Sequence, residues 1–476
     1  MSVSQPSRTH PSAGFLLILV LVMGSVFLLI VSSFIGYVVT QNEVVNFRHE
    51  QQRATEIAEA GLNYYRWYLA HYPNDYTNGT GLPGPYVHEY KDPEGGVIGE
   101  FSLSVASSTY CGSVASVELT STAFTYVDPK AKAVVSARYT RPTVAEYSFI
   151  TNAGVWYGSG GQIFGPLHSN QGIRMDSAHN SIIGSGQTSW VCDGSYGCSP
   201  SQVVDGVYTT SGQATPGLFQ FPVSPVDFAG ITLDMGNIKN SAQNFGGIYY
   251  ADTPGYGYEV EFNGDGTVDV SRVTDTYDYR SYSSAQGYHW GERNVINNRL
   301  FLATETINPD CPLLFFEDKV WLKGDVNQKV TLAAANLSSA DQTNIVLNGN
   351  ISYVSGTEAG LLVLAEDDID VGLNVPNNMN ISGIFIAQNG RYGRNYYWPG
   401  ALSSTYDPYI IRNSLDTLGT VVTNERAATN WSSGGPLLSG FRNGTSSFDR
   451  NQVDMPPPLT PETSDVYEFG DWRQEG

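Results

Sequence analysis

Four carboxylates crowd together at Glu366, Asp367, Asp368 and Asp370, the densest acidic cluster in the chain. Paired carboxylates are the equipment of glycoside hydrolysis, and in some solenoid polysaccharide lyases they hold calcium. Here they follow the apolar run GLLVLA, where a short strand ends, so they read as solvated acids at a loop corner. Asn263-Gly264-Asp265-Gly266-Thr267, with Asp269 beyond, superficially resembles a calcium loop. An EF-hand needs ligands at alternating positions and a terminal Glu; the flanks here alternate as strands, which makes the segment a hairpin turn. His168, His179 and His289 are scattered, and neither an H-E-x-x-H pair nor a G-x-S-x-G elbow occurs. No catalytic, cofactor-binding or metal-ligating residue is therefore assigned, and the chain is read as a non-enzyme. The competing reading is a membrane-anchored β-solenoid lyase or hydrolase acting on polysaccharide.

Two other groups carry chemistry. Cys192 and Cys198 bracket a flexible Asp-Gly-Ser-Tyr-Gly turn that can close a local disulfide, with Cys111 and Cys311 left over and unassigned. Tyr392, Tyr396, Tyr397 and Trp398 sit in a Gly- and Asn-bearing segment. As exposed loop aromatics they are candidate contacts for a glycan or a surface protein.

The elements that hold these groups are short strands. The chain has 476 residues, with 50 Gly, 30 Tyr, 15% charged residues and a net charge of −21. That acidity argues against nucleic acid as a partner. Beyond Ala70 no segment shows helical periodicity over more than two turns. Residues 73–95 read as a linker, and 96–150 as a small antiparallel β domain with a turn at Asp128-Pro129-Lys130. From residue 151 apolar pairs alternate with Gly, Ser and Asn, the texture of narrow β-solenoid rungs. Apolar centres near Val330, Val346, Val363, Ile384 and Val421 repeat the pattern. The expected order is a first solenoid part at 151–190, an inserted Tyr- and Gly-rich β region at 191–318, a second solenoid part at 319–455, and a Pro-rich tail at 456–476. The fold class is mainly β behind one long N-terminal transmembrane helix.

That helix occupies residues 15–72. Residues 14–41 carry no charge and run without a Pro or Gly-rich break into a polar, helix-patterned half. The apolar part is long enough to span a bilayer. It is longer than a secretory signal's apolar core, and no small-residue cleavage site follows it. Arg8 in the leader, with no acid beside it, weakly favours a cytoplasmic start and an exported remainder.

Ser12-Ala13-Gly14-Phe15 before the apolar run resembles the leader of type IV pilin-like proteins. QQRATEIAEAGLNYYRWYLA, with Ala58, Glu59, Ala60, Gly61 and Leu62, is similar to the second half of the first helix in PilX-type minor pilins and secretion pseudopilins. The resemblance implies a leader at 1–14 cut between Gly14 and Phe15, other pilin-like subunits and the bilayer as partners, and a place in the bacterial cell envelope with the C-terminal region outside the cytoplasm. It also implies a minor subunit of a type IV pilus or type II secretion-like filament, with the solenoid serving adhesion or assembly. The family's major subunits carry Glu as the fifth residue of the mature helix, and this chain has Leu19 there. Segments such as GPLHSNQGIRM and ISGIFIAQNGRYG resemble solenoid domains of unassigned chemistry that follow pilin-like helices.

Overall fold

A computed structural model describes residues 13–72, 75–111, 113–231, 233–284, 286–339, 343–433, 435–464 and 468–475. Leader residues 1–12, Arg8 and His10 among them, lie outside the described residues. The chain forms two compact units, one of Met1–Ala106, Glu118–Arg138 and Asp471–Gly476, the other of Ser107–Val117 and Tyr139–Gly470.

The first unit is built on helix α1, Ala13–His71. Its first half is apolar and uncovered: Phe15 and Leu19 are both exposed, and an 18-residue window reaches a mean hydropathy of 3.0 with none of it buried. This helix is long and apolar enough to cross a membrane. The second half changes character because its apolar residues fall at helical spacing. Ala54, Ile57, Ala58, Leu62, Tyr65 and Leu69 are all buried, one stripe along one face. They meet a sheet of β1 (Tyr86–Lys91), β2 (Val97–Tyr110), β3 (Ser113–Thr125) and β4 (Lys132–Thr140), in that order, with Glu468–Glu475 beside β4. Leu119, Ser121 and Ala123 of β3 and Ala133, Val135 and Ala137 of β4 alternate inward, as a half-buried strand requires. Gly61 lets the helix approach: a Cβ there would stand 2.5 Å from Ser121 Oγ and 2.8 Å from Phe101.

Two assignments change. The segment read as a linker contains β1, whose YVHEYK alternates burial, and the tail read as Pro-rich ends in the strand Glu468–Glu475. A short edge strand is selected by a partner strand far away in sequence, so neither carried a local signal.

The second unit is a β-solenoid of short parallel strands. One column runs through it unbroken: Ile248, Leu314, Leu332, Val363, Phe385, Val421, Phe149, Leu167, Ile183 and Phe219, each paired with the next. Apolar side chains stacked this way cover one another, so a rung only a few residues wide still buries a core. Within the column the last full rung, Ile411–Thr423, pairs with the first, Phe149–Thr151, through Val421 and Phe149. The two expected solenoid parts are therefore one coil, joined by strands far apart in sequence.

The expected insertion is correspondingly smaller. Val207–Tyr208, Phe219–Gln220, Ile248–Tyr250, Tyr258–Asn263 and Leu313–Phe316 all pair in parallel as rungs. What departs from the coil is the hairpin Ser189–Cys192 with Gln202–Asp205, the helix Met235–Asn244, and a long hairpin of Thr267–Ser283 and Gly287–Thr306. Four of these five rungs are only two to four residues long, too short to show a period. The helix is set by a local cap and one apolar face: Asp234 caps Asn237 N, and Met235, Ile238 and Ala242 are buried together. Of the expected apolar centres, Val363 and Val421 lie in the column, whereas Ile384 faces the helix side and Val346 packs with Val273 and Trp321.

Candidate functional site: an aromatic face over a buried ionic core

The long hairpin starts at the Asn263–Thr267 segment. Phe262 pairs with Val268, Gly264 and Gly266 take positive φ, and Asp265 accepts hydrogen bonds from Thr267 N (3.0 Å) and Oγ1 (2.6 Å). It is a turn. Toward the far end, Tyr282 opposes Tyr288 and Arg280 opposes Trp290, and directly opposed residues share a face. Tyr279 then opposes Glu292, which leaves Gly291 unpaired at φ 89°. This bulge decides the site. Without it Trp290 and Glu292, two apart, would point the same way; with it Trp290 faces solvent and Glu292 faces the coil. Gly291 is the residue type that takes such a φ without strain.

On the outer face the rings accumulate. Tyr282 and Tyr396 exchange backbone hydrogen bonds of 3.1 and 2.9 Å, an isolated antiparallel bridge that sets the segment carrying Tyr396 and Trp398 against the edge of the hairpin. Ring centroids lie 4.9 Å apart for Tyr282 and Tyr288, 5.4 Å for Tyr282 and Trp431, 5.9 Å for Tyr288 and Trp398, and 5.8 Å for Tyr396 and Trp398. Arg280 stacks on Trp290 with its guanidinium 3.6 Å from the ring centre. Tyr288 is 75% and Trp290 70% exposed.

The expected aromatic cluster divides here. Tyr396 and Trp398 join the outer face, but Tyr392 and Tyr397 are buried and are not exposed loop aromatics. Tyr392 pairs as a rung with Ile369, and the Tyr397 hydroxyl donates to Glu292 at 2.7 Å. Adjacent residues of an extended segment point opposite ways, so one pair of neighbours could not both face water.

Beneath the face lies a charged core. Glu292 accepts from Tyr279 Oη (2.8 Å), Tyr397 Oη (2.7 Å), Asn294 Nδ2 (3.2 Å) and Asn395 Nδ2 (2.8 Å). Asn294 also donates to Asp370 (3.2 Å) and accepts from Lys319 Nζ (2.6 Å). Arg391, 2% exposed, donates from Nη2 to Asp370 (3.1 Å) and to Asn395, and from its backbone N to Asp368 (2.7 Å). The acids Asp368 and Asp370 are thus buried ion-pair partners rather than solvated corner acids. Asp368 is 7% and Asp370 5% exposed, and Asp370 is bonded to both Arg391 and Asn294 of the hairpin. Among the described residues no group of three or more His, Cys, Asp or Glu is arranged to hold a metal ion.

Burial sets the protonation of this core. Asp368 is pushed up to about 7 by desolvation first and by neighbouring Asp370 second, against the pull of Arg391. Burial also raises Asp370 and Asp367, raises Asp318 to about 6, and lowers Lys319. An acid whose folded pKa lies above its unfolded value stabilises the fold at low pH and loses that contribution as pH rises through the folded pKa. Asp368 should therefore withdraw its contribution to the stability of the second unit as pH rises from about 4 to 7. Asp368→Asn should flatten that slope and match or exceed the parent at pH 8. Thermal unfolding of both proteins from pH 4 to 8 measures it; parallel profiles would contradict this assignment.

The structure places the remaining residues as follows. Cys192 and Cys198 are bonded at 1.99 Å, and Cys111, left unassigned from sequence, is bonded to Cys311 with Cα atoms 4.4 Å apart. His168 and His179 are buried at separate rungs, His168 contacting Asn170 (2.8 Å) and His179 contacting Ser181 O (3.1 Å). The outer-face residues Tyr282, Tyr288, Trp290 and Trp431 were missed from sequence. The available signal was the alternation of aromatic and small polar residues in YRSYSSAQGYHWG, residues 279–291.

No protein-family model matches the chain, and no curated protein matches it. Among solved structures it is similar to the crystal structure of the competence-associated pilin ComZ from Thermus thermophilus. The identity is 12%, the TM-score 0.29, and the match covers 90% of this chain and 98% of that one.

Proposed function

We propose that this chain is a membrane-anchored, pilin-like surface protein, a minor subunit of a type IV pilus or type II secretion-like filament, whose solenoid unit is held outside the cytoplasm for adhesion or assembly. One observation carries the reading: α1 is a single helix, bare and apolar over its first half and packed on an antiparallel sheet over its second. A helix that served only as an anchor needs about twenty apolar residues and no folded partner for its continuation. Here the same helix offers its apolar half to lipid or to neighbouring helices while its other half is rigidly held.

Leu19 refines the role. In a filament core of low dielectric a carboxylate can pair with a neighbour's terminal amine, and Leu19 offers no such charge. That favours a tip or an initiating, membrane-resident position over repeated stacking along a shaft. Mass spectrometry of membranes and sheared filaments tests both parts. We expect Phe15 as the mature N-terminus, a cut blocked by replacing Gly14 with a bulky residue, and a low copy number relative to other pilin-like subunits. Retention of Met1, or this chain as the dominant subunit, would sink the proposal.

A further inference from the structure

We propose that the outer aromatic face of the long hairpin binds an uncharged polysaccharide. The site is composed of Tyr288, Trp290, Tyr282, Tyr396, Trp398 and Trp431, brought together from three parts of the chain by the hairpin pairing and the Tyr282–Tyr396 bridge. Two of these rings stand 75% and 70% exposed, although a large buried aromatic would gain free energy by packing inward. The inner face of the same strands is fully used by Glu292, Tyr279 and Asn294, so the exposure is not a failure to find a core.

The composition selects the occupant. Residues 279–291, 395–400 and 429–433 contain no Leu, Ile, Val or Met, and their non-aromatic members are chiefly Ser, Asn, Gln, Gly and Thr. Rings provide apolar faces, and the short polar groups beside them provide hydrogen-bond donors and acceptors. A pyranose chain offers the matching pattern, with C–H faces to stack and hydroxyls at the rim. A lipid surface or an apolar peptide would be met by aliphatic side chains as well.

Charge narrows the choice further. The protein carries a net −21, so a basic partner would be drawn to its surface generally and a polyanion repelled from it. Among the described tip residues 279–291 the one exposed full charge is Arg280, already stacked on Trp290; just beyond it Asp278 is ion-paired with Arg293 at 3.1 Å, and Glu292 is turned inward. A surface so poor in charge on so acidic a molecule complements a partner that is itself neutral. Stacking on rings alone would also suit single-stranded nucleic acid, but that needs a track of cations along the backbone, and one Arg does not make one.

The inference rests on the exported placement proposed above, but its test uses the purified full chain in lipid nanodiscs, so a failure of leader processing or filament assembly leaves the result readable. The chain is screened against immobilised neutral polysaccharides, acidic polysaccharides, single-stranded oligonucleotides and apolar peptides. We expect binding to at least one neutral polysaccharide, with little change on raising salt. Trp290→Ala and Tyr288→Ala should each weaken it about tenfold, the pair should abolish it, and Trp290→Phe should retain most of it. Both residues are exposed, and unchanged thermal unfolding verifies that the variants are folded. Absence of binding to every neutral polysaccharide, binding untouched by Trp290→Ala, or binding confined to polyanions or to apolar peptides would each overturn the proposal.

Discussion

Arg391→Ala lowers the stability of the solenoid unit by about 3–5 kcal/mol, the range in which breaking a buried ion pair leaves a charge without compensation. Arg391 is almost wholly covered and supplies Asp370 and Asn395 with donors that no solvent can replace. The loss should appear first in the hairpin, because Glu292 and Asn294 reach the same cluster from its returning strand. Hydrogen exchange of the full chain is the direct measurement: protection of amides near residues 287–296 should fall before that of the column strands at 360–365. Trp321 donates its indole N–H to Asn294 O at 2.8 Å, so its environment should change as well. Removing both charges together, as Arg391→Met with Asp370→Leu, should cost less than Arg391→Ala, since Asp370 is then not left buried without its guanidinium partner. Equal costs would mean the pair is not the source of the effect.

Loss of the Cys111–Cys311 bond is the second large effect. The two cysteines are 200 residues apart, and the bond closes a far longer loop in the unfolded chain than Cys192–Cys198, which spans 6. By the chain-entropy argument the long closure stabilises by about 5 kcal/mol and the short one by about 2 kcal/mol. Cys311→Ser should therefore lower the urea midpoint more than Cys192→Ser, and reductant should reproduce the sum. Cys311 lies in the cluster with Ile238, Ala242 and Leu313, so the Met235–Asn244 helix should loosen with it. A Cys192→Ser loss as large as that of Cys311→Ser would show that loop length does not govern these bonds. Either bond requires an oxidising compartment to persist, which agrees with the exported placement proposed above.

The residues that became the site show why it was only half legible. Tyr396 and Trp398 could be named from sequence as surface aromatics, and they are on the outer face. Tyr392 and Tyr397 were named with them and are buried. Nothing in the segment fixes its parity; the pairing with Tyr282 and with the Ile369 rung does. Glu366, Asp367, Asp368 and Asp370 looked like acids in water because their neighbours in sequence are acids. For Asp368 and Asp370 the neighbours in space are Arg391, Lys319 and Asn294, which only the stacking of rungs supplies.

By itself, the sequence determined what local chemistry is sufficient to determine. A stretch without charges spanning residues 14–41 has no stable home but an apolar one, and Ala54, Ile57, Ala58 and Leu62 at helical spacing demand one buried face. Gly264 and Gly266 flanking Asp265 between alternating strands demand a turn. The tertiary structure decided everything that depends on which short strand lies against which. The pairing of Val421 with Phe149, which makes two segments one coil, joins residues 272 positions apart with no periodicity between them. The bulge at Gly291, which turns Glu292 inward and leaves Trp290 outside, exists only because the opposing strand is one residue short. Register between strands is set by the free energy of whole faces, and no single rung of three residues contains that information.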